Sequence, residues 1–379
     1  MKFTKPQLKA LTGLRFVAAI HVVLYHAVPR EWLDGHPWLY SIINRGPASV
    51  GLFFMLSGFI LTYTYFDSFG DPKLDRGKFG RARFARIYPV YALSIVVALP
   101  YKVVDLYREL GADVVGIITG LSKQVVPMAL LVHAWYPDTV YGINAAAWSL
   151  SVEAFFYLMF TLIAGSVLVT AALKRPFLSM VVLYILAVLP AWLYFNYPQI
   201  NTQIPTVVIA HNPLVRLPDF LIGIVLGDLF LRVKRSENPS RLSGFAAISH
   251  WIPLLATLGI GLFFVATGNL EGALVRALVL PLFAFLIWGL AFDEGRLSKG
   301  LSTKTMILLG GASYSLYILH LPLFLIWKSL VQRVVAWPAN SPQLMVSYVI
   351  FVVAISIATF LFVEEPMRSY LRSRSRRRA

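Results

Sequence analysis

Apolar runs of about twenty residues recur along this chain from residue 11 to residue 364, and they limit the possible folds more than any other feature. A helix of about that length crosses the hydrocarbon core of a bilayer. We therefore expect an all-α polytopic membrane protein, a bundle of about ten transmembrane helices that forms one domain over residues 1–379. The predicted helices lie near residues 11–28, 47–66, 84–101, 146–171, 177–195, 216–231, 250–267, 272–292, 305–327 and 345–364.

The composition supports a membrane location. Apolar residues make up 58% of the chain and charged residues only 14%, whereas soluble domains carry about one quarter charged residues. The first apolar run includes Arg15 and lacks a small-residue cleavage site after it, so we expect it to remain as a helix and not to be removed as a signal peptide.

The distribution of basic residues predicts the orientation. With ten spans and a cytoplasmic N-terminus, the C-terminus is also cytoplasmic, and the cytoplasmic segments contain 25 of the 34 Lys and Arg residues. The run 125–136 is too short to span, and counting it would place the basic tail outside, so residues 102–145 are predicted to form a short external or re-entrant layer. The cytoplasmic segments are 1–15, 67–86, 172–176, 232–249, 293–304 and the basic tail 365–379.

The net charge of +16 follows from this topology and from contact with lipid headgroups, so we expect no nucleic-acid partner. The chain has no cysteine, which excludes thiolate nucleophiles, disulfides and thiolate zinc sites. Walker A, Gly-x-Ser-x-Gly and His-Glu-x-x-His motifs are missing from the sequence, and we expect no metal. The Gly223-x-x-x-Gly227 spacing is expected only to pack helices.

Arg15 and His26 are the chemically notable residues of the first helix. Eleven residues are three helical turns, so both side chains lie on nearly the same face, about 16 Å apart. Ionisable groups within a span are costly and usually functional, although Arg15 alone is equally compatible with snorkelling to the headgroups. His21 lies about 140° from His26 around the helix, and we expect it to be a hydrogen-bonded packing residue.

Arg83 and Arg86 stand at helical spacing where the third predicted helix leaves the cytoplasm, and two guanidinium groups there could clamp phosphates. The alternative is that the two arginines only flank the helix on its cytoplasmic side, as the positive-inside rule predicts for most membrane proteins. Glu153 lies about 10 Å below the external end of the fourth helix, where it could orient His26 or merely face an aqueous cavity.

The ninth helix adds His320, predicted in its outer half, together with Tyr314 and Tyr317, which we expect to pack and not to take part directly in catalysis.

Seven segments in order resemble the acyltransferase-3 family of bacterial membrane acyltransferases, which O-acylate cell-surface polysaccharides, lipid-linked sugars and some secondary metabolites. The resemblance covers almost the whole chain. The segments are Arg15 to His26, Phe53-Phe54-Met-Leu-Ser57-Gly58-Phe59, Arg83-x-x-Arg86 with Pro89, Trp148-Ser-Leu-Ser-Val-Glu153, Arg216-Leu-Pro-Asp219 with Gly223, Ser313-Tyr314 to His320, and Glu364-x-Pro366-x-Arg368.

The resemblance implies an enzyme of the bacterial inner membrane that takes acetyl or another acyl group from cytoplasmic acyl-CoA, a donor substrate and not a resident cofactor. It makes His26 the candidate catalytic residue, which Glu153 would orient, and it makes Arg15, Arg83 and Arg86 the candidate coenzyme A contacts. The acceptor would be a hydroxyl of a carbohydrate or lipid-linked sugar. The candidate substrate contacts in the matching motifs are Ser57, Trp148, Ser151, Tyr314 and His320.

Many relatives carry a C-terminal esterase-like SGNH domain, whereas this sequence ends fifteen residues after the last predicted helix. We therefore expect the chain either to complete transfer itself or to pass the acyl group to a separate periplasmic transferase. The rival function is a transporter or flippase of a lipid-linked saccharide, in which the buried polar residues would line a passage. The sequence lacks paired broken half-segments, which counts against that rival.

Overall fold

The computed structural model describes residues 5–66, 74–166, 170, 172–235, 250–268, 270–292 and 295–370, and these ranges contain helices and loops but no β-strand. The α-helices are α1 Lys9–Ala27, α2 Pro37–Asn44, α3 Ser49–Tyr65, α4 Arg76–Leu110, α5 Val114–Ala129, α6 Trp148–Ile163, α7 Pro176–Asn196, α8 Pro198–Asn201, α9 Thr206–His211, α10 Pro213–Arg235, α11 Trp251–Ala266, α12 Gly272–Leu278, α13 Leu280–Phe292, α14 Arg296–Leu301, α15 Lys304–Val334 and α16 Pro342–Thr359. Single 3₁₀ turns cover Arg30–Leu33, Gly46–Ala48, His133–Trp135 and Ala145–Ala147, and a π-helical turn covers Phe360–Glu364.

A helix occupies each of the ten places predicted from the apolar runs. Within the described residues, seven helical stretches are long and apolar enough to cross a membrane, and an eighth is the pair α12 and α13, bent by 43°. The all-α membrane architecture is therefore confirmed, while the count of ten spans and the cytoplasmic termini stay predictions. Most of the basic tail, residues 371–379, lies outside the described residues.

Local backbone chemistry shifts several predicted helix bounds. The span predicted at 146–171 ends earlier, at Ile163, because Gly165 takes the left-handed conformation (φ 76°) that terminates helices. The span predicted at 84–101 is longer, because Asp75 accepts a hydrogen bond from the Lys78 amide and caps α4 well before the apolar run begins.

The layer predicted at 102–145 contains three kinds of structure. Its first residues continue α4, which ends at Leu110. Its centre is α5, whose 16 residues are apolar but short for a span. The run 125–136, predicted to be too short to span, is only partly helical, because α5 ends at Ala129 and Leu131 adopts a positive φ of 57°.

Glycines allow the helices that hold the polar residues to approach closely. A Cβ on Gly223 of α10 would overlap the carbonyl oxygen of Met55 in α3, and one on Gly58 of α3 would overlap the carbonyl oxygen of Phe220 in α10. Gly227 lies against Phe59 in the same contact, which confirms that the Gly223-x-x-x-Gly227 spacing packs helices. Helix α1 packs against both α3 and α15, and this arrangement brings distant polar residues into the bundle interior.

Candidate active site

The candidate site residues form two groups, toward opposite ends of α1. The histidine pair, His26 and His320, lies toward the Ala27 end. The arginine cluster lies toward the Lys9 end, and its members interact electrostatically across α1, α4, α6 and the π-helical turn. The arginine cluster comprises Arg15, Arg86, Glu153, Tyr157 and Glu364.

The two imidazole rings of the histidine pair are in direct contact. His26 Nδ1 lies 3.2 Å from His320 Nε2 and 2.9 Å from the carbonyl oxygen of Val22. His320 Nδ1 lies 2.5 Å from the carbonyl oxygen of Tyr317, and His320 itself is buried. Tyr348 of α16 donates a 2.6 Å hydrogen bond to the main-chain carbonyl oxygen of His320, which links α15 to α16 at this residue.

These partners fix the tautomers of both rings. A carbonyl oxygen only accepts, so His320 carries its proton on Nδ1 and presents a lone pair at Nε2. His26 then carries its proton on Nδ1, which faces the Val22 carbonyl oxygen and the His320 lone pair. The remaining nitrogen, His26 Nε2, is unprotonated and has no hydrogen-bond partner among the described residues, which is the state required of a general base.

His26 is exposed, and it lines an open pocket of about 260 Å³. The pocket combines apolar walls with hydroxyl, amide and guanidinium groups, which suits a polar molecule of modest size. Tyr25 packs edge-on against the His26 ring, with 4.7 Å between ring centroids. The lining residues are Tyr25, His26, Val28, Arg30, Leu33, Tyr40, Ile43 and Asn44.

Glu153 does not contact His26, and in this respect the sequence-based hypothesis was wrong. Its carboxylate accepts hydrogen bonds from Tyr157 and, at 3.4 Å, from Ser57, and it interacts electrostatically with Arg15 and Arg86. Glu153 and Tyr157 are one helical turn apart, so they share a face of α6 that is turned to the arginine cluster. The hydrogen bond expected from Glu153 is made by His320 instead.

The arginine cluster contains two cations and two carboxylates. Arg15 on α1 and Arg86 on α4 interact with each other and with both Glu153 and Glu364. Both arginines are half-buried. Two guanidinium groups that share the same carboxylate neighbours are suited to donate hydrogen bonds to phosphate oxygens.

Arg83 lies next to the arginine cluster but is not part of it. Its Nη2 donates to the Tyr65 hydroxyl at 3.1 Å, and its guanidinium lies 5.6–5.8 Å from the ring centres of Tyr65, Phe79 and Tyr157. Its buried Nε has no hydrogen-bond partner in the described part of the chain. Arg83 therefore has an N–H group next to the arginine cluster that is not used in a hydrogen bond within the described residues.

The other sequence candidates have mostly fixed protein contacts. Ser151 accepts a hydrogen bond from the Ala134 amide, and Tyr314 donates to the Ile87 carbonyl oxygen. Trp148 packs against Phe54. The roles of Ser57, Trp148, Ser151 and Tyr314 as substrate contacts stay predictions.

The structure confirms the packing role expected of His21. Both of its ring nitrogens have protein partners, Ser49 Oγ at 2.9 Å and the Ile42 carbonyl oxygen at 2.8 Å. It lies on a different face of α1 from His26 and holds α2 and α3 against that helix.

Sequence reasoning did not assign a site role to Glu364 or Tyr157. Glu364 belongs to a motif noted in the sequence, but only the fold brings it to Arg15 and Arg86, across more than 270 residues of chain. It accepts a 3.1 Å hydrogen bond from Ser315 and sits at the end of the π-helical turn, a local geometry often found at functional sites. The four-residue spacing of Glu153 and Tyr157 was the available signal for the tyrosine.

Comparison with known proteins identifies the family of this chain. The acyltransferase domain of the acyltransferase-3 family matches residues 8–361, so the chain belongs to that family. It is 27% identical over 333 residues to the acyltransferase MdmB of Streptomyces mycarofaciens, which covers 83% of this chain and 78% of that protein. It is 25% identical over 348 residues to the O-acetyltransferase OatA of Staphylococcus aureus, which covers 85% of this chain and 51% of that protein. No solved structure matches the chain.

Proposed function

We propose that this member of the acyltransferase-3 family is an O-acyltransferase of the bacterial inner membrane, acting between cytoplasmic acyl-CoA and a hydroxyl acceptor. The acyl group would be acetyl, and the acceptor a cell-surface polysaccharide, a lipid-linked sugar or a similar molecule. One observation carries the proposal most strongly: His26 lines an open pocket, its Nδ1 contacts His320, and its Nε2 has no hydrogen-bond partner among the described residues. The name of the relative OatA, an O-acetyltransferase, supports a hydroxyl acceptor.

The arginine cluster is the proposed donor site. Phosphates of coenzyme A would bind Arg86 and Arg83, and Arg15 would guide the pantetheine arm along α1. The alternative for the arginines, plain topology flanking, fits Arg81, which is exposed, better than it fits the inward-facing Arg86. This arrangement implies a cytoplasmic Lys9 end, in keeping with the basic residues of the predicted cytoplasmic segments.

His26 is the proposed general base. The arm of acyl-CoA would bring the thioester to His26, about 16 Å from Arg15 along the helix. The acceptor hydroxyl gives its proton to His26 Nε2, and its oxygen forms a bond to the thioester carbonyl carbon. The carbon–sulfur bond then breaks, and the thiolate takes the proton from His26 to leave as free coenzyme A. His320 would stabilise the charged ring by accepting from its Nδ1–H.

The acceptor would enter from the pocket at the Ala27 end, opposite the donor site. The same pocket could instead hand the acyl group to a separate periplasmic transferase, since the matched region is about half of the OatA chain. Thioester consumption separates both routes from the rival function, because a flippase of a lipid-linked saccharide moves its substrate without cleaving acyl-CoA.

The decisive experiment uses the full chain purified in detergent, with radiolabelled acetyl-CoA and a membrane extract as acceptor source. We expect His26→Ala to bind acetyl-CoA with unchanged affinity and to lose transfer by about 10²–10⁴-fold, the usual contribution of a general base. The matched control is His250→Ala, an exposed histidine beside α11, which should transfer normally. Near-normal transfer by His26→Ala would refute the proposed role of His26, and transport without thioester loss would favour the flippase.

A further inference from the structure

A further group of buried charges shares no residue with the histidine pair or the arginine cluster. Arg216 and Asp219 of α10 are completely buried, and Arg276 of α12 is 5% exposed. Asp219 Oδ2 lies 3.1 Å from Arg216 Nη2 and 3.7 Å from Arg276 Nη1. Two guanidinium cations therefore share one carboxylate, which leaves a formal charge of about +1 in the interior.

Arg216 lacks hydrogen bonds as well as a full counter-charge. None of its three side-chain nitrogens has a hydrogen-bond partner within the described residues, because the short contact to Asp219 lacks hydrogen-bond geometry. Both Asp219 carboxylate oxygens are equally unpartnered. A buried guanidinium without partners is strongly unfavourable, and native proteins nearly always supply a partner, whether protein, water or ligand.

Arg45 shows how the same chain satisfies a buried arginine that serves structure alone. It is also 5% exposed, but its Nη2 donates to three backbone carbonyl oxygens at the end of α11. Arg276 is intermediate, with one hydrogen bond to the Ile209 carbonyl oxygen. Within the described residues, Arg45 and Arg276 each have an unpartnered Nε, whereas all three side-chain nitrogens of Arg216 are unpartnered.

A glycine and two aromatic rings lie against the Arg216 side chain. Gly51 lies against the ion pair, and a Cβ added there would be in ordinary van der Waals contact with both groups, 3.6 Å from Arg216 Nη2 and 3.5 Å from Asp219 Oδ2. The Arg216 guanidinium lies 5.0 Å from the centre of the Phe54 ring and 5.9 Å from that of Trp148, which positions it without using its N–H donors.

Aromatic side chains connect Arg216 to the surface and to the histidine pair. Trp148 packs edge-on against His211 at 4.3 Å, and His211 packs against Tyr141, which is 50% exposed, at 5.3 Å. On the other side, Tyr317 interacts electrostatically with Arg216, and its ring centre lies 5.9 Å from that of His320. Tyr317 therefore links Arg216 to the histidine pair.

We propose that Arg216 binds an oxyanion, a carboxylate or phosphate group, beside the histidine pair. The planar guanidinium matches the two oxygens of such a group, and an anion would supply both the missing charge and the missing hydrogen bonds. The oxyanion could be an acid group of the acceptor or a free ion. The placement beside the reaction centre rests on the proposed function, whereas the anion site itself does not.

Binding of inorganic phosphate to the full chain in detergent tests the site without acyl-CoA. Phosphate should raise Tm saturably compared with chloride at equal ionic strength, because a ligand that binds only the folded state stabilises it. Arg216→Gln should abolish this response. Arg45→Gln is the control, since it removes a neighbouring buried arginine but should keep the phosphate response even with a lower basal Tm.

Asp219→Asn gives a result that a purely structural ion pair would not. Removing the competing carboxylate should lower the half-saturating phosphate concentration by roughly tenfold, the effect of one charged hydrogen bond. This variant also keeps the test decisive if Arg216→Gln does not fold. The inference is overturned if the wild type shows no saturable response, if Arg216→Gln keeps it, or if Asp219→Asn weakens phosphate binding or leaves it unchanged.

Transfer kinetics then identify the source of the oxyanion. If it belongs to the acceptor, phosphate should raise the KM for acceptor without changing kcat. If it is a free ion, phosphate should increase kcat with the KM for acceptor unchanged. Because phosphate binding is measured without transfer, its failure would leave the proposed function standing, and a failure of the His26→Ala test would leave the phosphate result standing.

Discussion

His26 Nδ1 and His320 Nε2 lie 3.2 Å apart, although 294 residues separate them in the chain. The contact joins α1 to α15 at the pocket. Because the Tyr317 carbonyl oxygen fixes the proton of His320 on its Nδ1, the nitrogen that meets His26 can only accept. The hydrogen bond therefore runs from His26 Nδ1–H to His320 Nε2, and His26 Nε2 remains available as an acceptor.

The first prediction concerns His320 as a positioning residue. His320→Ala should lower kcat by roughly 10–100-fold, the value of a hydrogen bond to a charged group, while the KM for acyl-CoA stays unchanged. His320→Gln keeps a side-chain acceptor and should recover part of that loss. Steady-state kinetics and Tm of both variants check this; equal losses in the two variants, or losses that follow Tm, would contradict a positioning role.

The second prediction compares two arginines of α4. Arg86→Gln should raise the KM for acyl-CoA by roughly 10–100-fold, because it removes a charge-assisted contact to phosphate. Arg81→Gln is the matched control, since Arg81 is exposed on the same helix five residues earlier. Titration of acyl-CoA binding at several salt concentrations distinguishes the two variants. Similar KM values for both would indicate that the two arginines only set the orientation of the chain in the membrane.

The third prediction follows from the position of Glu153 in the arginine cluster. Glu153→Gln should lower the KM for acyl-CoA and keep kcat, because the amide can still accept from Tyr157 and Ser57 but no longer competes for Arg15 and Arg86. The measurement is again steady-state kinetics with acyl-CoA varied. A large fall in kcat at constant KM would restore Glu153 as the partner of His26.

The fourth prediction tests the contact between α3 and α10. Gly223→Ala should destabilise the protein by about 1–3 kcal/mol, since the added methyl meets the Met55 carbonyl oxygen of the facing helix and neither backbone can move freely. Gly261→Ala is the control, because a Cβ there meets nothing within 4 Å. Thermal unfolding in detergent compares the two, and an unchanged Tm for Gly223→Ala would show that the contact is loose.

The sequence located the helices because the bilayer imposes a length and a composition that a single segment must satisfy by itself. Each of the ten apolar runs coincides with a helix. Their ends were predicted less well, because caps such as Asp75 and a left-handed Gly165 lie outside the apolar runs and act through backbone geometry.

Arg15 and His26 show what one helix can determine without tertiary contacts. Their spacing fixed their shared face and their separation along α1, because both follow from helical geometry alone. The same reasoning paired Glu153 with His26 from depth alone, and the pairing was wrong, because depth does not specify which face of α6 meets which neighbour.

The sequence by itself therefore determined an α-helical membrane chain, its ordered motifs and the relative placement of Arg15 and His26 on α1. Only the tertiary structure decided that His320 meets His26, that Glu364 joins Arg15 and Arg86, and that Arg216 is left with a carboxylate it must share. The physical reason is that helix periodicity is local, whereas contacts between helices depend on close packing at residues such as Gly58 and Gly223 that fixes how each helix is rotated.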